Sequence, residues 1–165
     1  ARNAILEDRI DERGDDIKAR ASLASLYSAE GRQDDLVEQY LEILERDEEH
    51  IVALNNLGWY LLDDEPKEAL EYARRAHTLY PESGLIRDTL ALAQLRNGRL
   101  VEARRNIDRS LRMSPDTQEL RYHEIQIRVE EGEGESARAD LLALLQQYPR
   151  FSERDQAEIL LQQID

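Results

Sequence analysis

The chain has 165 residues, of which 41% are hydrophobic and 35% charged, and its 36 acidic against 22 basic residues give a formal net charge of −14 at pH 7. A surface of that sign repels nucleic-acid phosphates and anionic lipid headgroups, so nucleic acid is not an expected partner. The absence of cysteine excludes disulfides and thiolate metal sites. No apolar run reaches the roughly 18 residues that mark a membrane span, so direct membrane insertion is not expected.

In chain order, residues 2–13 carry Ala4, Ile5, Leu6 and Ile10 at helical spacing, followed by Gly14. Residues 1–16 read as the remnant of a preceding repeat, and the sequence, starting at Ala1, reads as a piece of a longer protein. Four units follow: 17–50, 51–83, 84–117 and 118–151. Pro81, Pro115 and Pro149 stand 34 residues apart, as do Ala69, Ala103 and Ala137, and Gly98 and Gly132. A fixed period of this length marks a repeat array, in which each unit buries its apolar face by stacking on its neighbours.

Each unit reads as two amphipathic helices. Small residues Ala24, Gly58 and Ala91 share one position in the first helix, where they let the hairpin partner approach closely. Gly31, Gly98 and Gly132 occupy the internal turn, where glycine accepts the left-handed conformation that ends a helix. The second unit is one residue shorter there, and its Pro66 suits the first turn of the next helix. Residues 152–165 open on Ser152, an expected N-cap with Asp155 three residues on. They carry Ala157, Ile159, Leu160, Leu161 and Ile164, and so read as a helix covering the last repeat. The expected fold is all-α and forms one domain.

Candidates for chemistry are sparse. His50, His77 and His123 fall at different unit positions and read as exposed or partly packed, with no metal cluster among them. The acidic runs lack the alternating ligand spacing of a calcium loop. There is no phosphate-binding glycine loop and no nucleophile elbow, and carboxylate pairs are expected by chance among 36 acids. No metal, cofactor or catalytic residue is expected, and the chain reads as a non-enzyme.

The period and the Leu90, Ala91, Gly98, Ala103 and Pro115 pattern resemble the tetratricopeptide repeat over residues 17–149. The family's aromatic at the fourth unit position is replaced by Arg20, Leu54, Arg87 and Arg121, and Ile125 stands where a small residue is usual. The resemblance implies a right-handed superhelix of helix-turn-helix repeats with a C-terminal capping helix. It also implies a concave groove that binds a protein or peptide, lined by Asn55, Trp59, Leu62, Asp88, Leu92, Leu95, Tyr122, Gln126 and Val129. Such a trough is apolar with polar rims, and aromatic anchors would contribute most of the affinity. Some members of the family grip a chaperone carboxylate with basic residues; here Asn56 keeps one such position, but Ala21, Leu85 and Thr89 replace the cations.

The runs ALNNLGWYLL (53–62), EALEYARRA (68–76), RDTLA (87–91), ELRYH (119–123) and FSERDQAEILLQQ (151–163) are similar to the C-terminal repeats of a narrower group. These are the bacterial tetratricopeptide lipoproteins of PEP-CTERM protein sorting and exopolysaccharide production. That likeness implies the bacterial cell envelope, with the cytoplasm as the alternative location. Two functional readings stand: a scaffold for a protein or peptide, or a self-association module, a homo-oligomer, within a larger repeat protein.

Overall fold

The structure is a computed structural model that describes residues 2–12 and 16–164. Among the described residues it holds ten helices and no strand. These are α1 (Arg2–Glu12), α2 (Ile17–Glu30), α3 (Gln33–Leu44), α4 (Ile51–Tyr60), α5 (Pro66–Leu79), α6 (Gly84–Arg96), α7 (Leu100–Met113), α8 (Gln118–Glu130), α9 (Gly134–Gln147) and α10 (Arg154–Gln163). None of them is long and apolar enough to cross a membrane. Helices α1–α5 form one compact unit and α6–α10 another, the division falling between Tyr80 and Pro81.

In the first unit α2 pairs with α3 and α4 with α5, and α3 packs on α4. In the second, α6 pairs with α7 and α8 with α9, α7 packs on α8, and α10 lies against α9. The helix ends follow local chemistry. Asp16 accepts the Ala19 N–H at 2.8 Å and caps α2, and Pro66 takes the first position of α5, where no N–H is needed. Gly31, Gly98 and Gly132 all adopt positive φ, at 71°, 69° and 88°. One expectation is corrected: Glu153, not Ser152, is the N-cap residue of α10, because the Ser152 hydroxyl is drawn to Glu119 Oε1 at 3.0 Å. Gly14, expected to end α1, lies outside the described residues.

The crossing positions Ala24, Gly58 and Ala91 are buried as their size requires. In the last hairpin Ile125 takes that place and joins a core of Tyr122, Leu141, Leu144, Leu145 and Ala157. Three arginines near the starts of α6, α8 and α10 have a shared task. Arg87 donates to the Pro81 carbonyl, Arg121 to that of Pro115 at 3.0 Å, and Arg154 to that of Tyr148 at 3.2 Å. Each reaches six residues back to an inter-helix turn whose carbonyl has no helical partner. Arg20 and Arg87, both buried, also reach the next helix at Gln39 (3.2 Å) and Asn106 (3.1 Å). A guanidinium with five donors thus replaces aromatic packing by hydrogen bonding.

At Gly98 an added Cβ would meet nothing within 4 Å, so its only cost is the left-handed backbone. Gly98→Ala is therefore expected to lower unfolding stability by about 1 kcal/mol, read as a lower urea midpoint; an unchanged midpoint would contradict the conformational argument.

Candidate binding cleft

The nine residues expected to line a groove divide between the units: Asn55, Trp59 and Leu62 in the first, the other six in the second. In the first unit Asn55 and Trp59 are half-buried and Leu62 is buried. Neighbouring polar groups there are engaged within the fold. Asn56 donates from Nδ2 to the Tyr40 hydroxyl at 2.8 Å, which binds α4 to α3 and commits the one residue retained from the carboxylate-gripping pattern. The hydroxyls of Ser28 and Tyr60 meet at 2.8 Å between α2 and α4. Burial raises the Tyr40 pKa, so this phenol stays neutral and able to accept.

In the second unit, Leu95, Tyr122, Gln126 and Val129 come together along a cleft of ≈ 430 Å³. Its opposite wall is α10, through Gln156, Ile159, Leu160 and Gln163, with Arg96 and Glu130 at the rim. Leu95, Val129, Ile159 and Leu160 supply its apolar surface, side chains such as Gln126, Gln156 and Gln163 supply about as much polar surface, and Ile159 keeps 55% of its own surface exposed. Tyr122 is buried beneath, its ring centroid 6.1 Å from that of Phe151. Burial raises the Tyr122 pKa, while a hydrogen bond from Gln126 works against the shift. Leu92, at 2% exposure, lies within the core.

The repeats by themselves do not point to the α10 wall. One signal is present in the sequence: Ala157, Leu160, Leu161 and Ile164 make a covering stripe, and Ile159 falls off it. A larger cleft, ≈ 600 Å³, lies on the α5 face of the first unit over Leu54 and Leu70. None of the nine expected residues lines it. Its charged rim is mixed, with Glu48, Glu49 and Glu71 beside Lys67, Arg74 and Arg75.

Asp88 and His123 form a buried charged pair in the second unit. His123 is 1% exposed, against the expectation that the histidines are exposed or partly packed. Its Nδ1 lies 2.8 and 3.0 Å from the two oxygens of Asp88 on α6, and its Nε2 lies 2.8 Å from Glu153 Oε2. Ionised carboxylates only accept, so both ring nitrogens carry protons and the ring is an imidazolium. The sequence hides this because the partners lie 35 and 30 residues away.

No protein-family model matches the chain. The TPR repeat-containing protein PA4667 of Pseudomonas aeruginosa is 33% identical over 76 residues, which cover 45% of this chain and 13% of that protein. The chain thus spans only a small part of that relative's length. Among solved structures, PilW, described as a widely conserved type IV pilus biogenesis factor, superposes with a TM-score of 0.74 at 18% identity. The match covers 92% of this chain and 71% of PilW. YrrB, described as a TPR protein with an unusual peptide-binding site, gives 0.66 at 21% identity, over 87% of this chain and 75% of YrrB. The fold is that of the tetratricopeptide-repeat proteins.

Burial alone would lower the His123 pKa and is the largest single influence. The hydrogen bonds to Asp88 and Glu153, with their charges, outweigh it and raise the pKa from 6.5 to about 9. The folded state therefore binds this proton more tightly than the unfolded state. Its contribution, on the order of 3 kcal/mol, is complete below about pH 6.5 and lost as pH rises through about 9. Urea unfolding at pH 7 and pH 10 is expected to show that loss, and a smaller one in Glu153→Gln. Equal stability at the two pH values would contradict the double ion pair.

Proposed function

We propose that the chain is a non-enzymatic scaffold that holds a protein or peptide segment in a concave groove, and that the second unit's cleft is its principal binding surface. The observation that carries this reading is the exposed Ile159, which with Leu160 faces Leu95 and Val129 across an open space with amide and charged rims. Apolar floors with polar rims suit peptide segments, which bury side chains while their main chain stays hydrogen-bonded. Support comes also from the fold, shared with YrrB and its peptide-binding site. Asn55, Trp59 and Leu62 remain candidates for a separate binding surface in the first unit, and Asp88 serves the site by holding His123. A role in bacterial envelope protein sorting or exopolysaccharide assembly rests on the sequence resemblance alone.

The second reading, self-association, draws on Leu85 and Val101, 70% and 74% exposed. Solution mass that rises with concentration would favour it.

Random peptides displayed on phage and selected on the wild-type chain test the scaffold reading. Selected peptides are expected to bind Ile159→Glu more weakly by about 2 kcal/mol, roughly thirtyfold. Arg74→Glu, at the other cleft, is expected to leave them bound. Equal binding to wild type and Ile159→Glu, with helicity preserved, would remove the cleft from the account.

A further inference from the structure

We propose that His123 is the positioning residue of the cleft: through Glu153 it fixes α10 as the outer wall, and breaking that one bond frees α10 while the hairpins beneath stay folded. The scaffold reading supplies the purpose of the cleft, and the proposal rests on it in that respect only.

Helix α10 has little apolar hold of its own. Within its span only Ala157 is fully buried. Ile164 follows, packed near Gly134, and Leu160 and Leu161 are partly covered. Ile159 points away from the core. The Arg154 bonds to the Leu145 and Tyr148 carbonyls tie its first turn back to the end of α9, not to α8. Two bonds at its N-terminal end reach α8: Ser152 to Glu119, which is exposed, and Glu153 to His123, which is largely buried. An exposed bond competes with water and holds little, whereas a charge-assisted bond in a desolvated site is strong.

The charges explain why the wall and the core separate. With Glu153 in place, one imidazolium serves two carboxylates. Without it, Asp88 and His123 remain a matched pair at 2.8 Å between α6 and α8. Only the buried tie from α8 to the start of α10 is then broken, and the exposed Ser152–Glu119 bond is left. His123 does not line the cleft, so its influence on a bound segment runs through Ile159, Leu160, Gln156 and Gln163 on the wall it fixes.

Amide hydrogen exchange of the full chain, without any peptide, tests this with Glu153→Ala and Glu153→Gln. In the alanine variant, residues 154–163 are expected to exchange faster by about tenfold or more, while α8 and α9 keep wild-type protection. Glutamine retains an acceptor for the Nε2 proton and should restore part of that protection. Nitrogen-15 spectra of the wild type should show both His123 ring nitrogens protonated at neutral pH. Unchanged exchange in α10 of the alanine variant would overturn the proposal, as would equal acceleration across α8, α9 and α10. A wild-type chain that binds no selected peptide would defeat the scaffold reading and leave the exchange result standing.

Discussion

A pair of short helices cannot bury its apolar stripe within itself, and the rest of this structure follows from that constraint. Each hairpin has to present a face that its neighbour completes. Ala24, Gly58 and Ala91 set the close approach inside hairpins, and small Ala69, Ala73 and Ala76 do the same on the facing helix. Between hairpins of the second unit the task passes to arginines. Arg104 of α7 meets Glu124 of α8 at 2.7 Å and also Glu131 just beyond it. Within the α6–α7 hairpin, Arg87, Asn106 and Gln94 form a chain of hydrogen bonds.

At α10 the constraint takes another form, because this single helix lies against α9 and adds Ala157 to the core there. A single short helix offers limited apolar area, and much of what it offers goes into the core of Tyr122, Leu141 and Leu144. The remaining hold is electrostatic and comes from inside the unit, through His123. Buried ion pairs seldom add net stability over well-packed apolar groups. They do fix relative position, since an imidazolium with two carboxylate partners satisfies its geometry in one arrangement. The cleft between α8 and α10 takes its width from that arrangement.

The parts legible in the sequence are those with a local cause. Gly98 and Gly132 announce a left-handed turn, Pro66 announces a first helical turn, and the 34-residue spacing announces stacked hairpins. Arg87 and Arg121 are visible as departures from an aromatic pattern, but their common acceptor, a carbonyl six residues back, needs the turn geometry. Asp88 is the clearest case of what the period could not carry. Its unit position gives a direction along the helix, while its bond with His123 depends on the next hairpin. Ser152 shows the same limit at a helix start: its capping chemistry is sound, and the pull of Glu119 on α8 decides otherwise.

The central claim is that a peptide segment is held between α8 and α10 of the second unit. Methyl-resolved NMR of the isoleucine, leucine and valine side chains, recorded with and without a bound peptide, tests it most directly. The account predicts that the resonances of Val129, Ile159 and Leu160 move, while those of Leu54, Leu70 and Leu79 beside α5 stay fixed. Movement confined to the α5 face, with the α8 and α10 methyls unchanged, would contradict it.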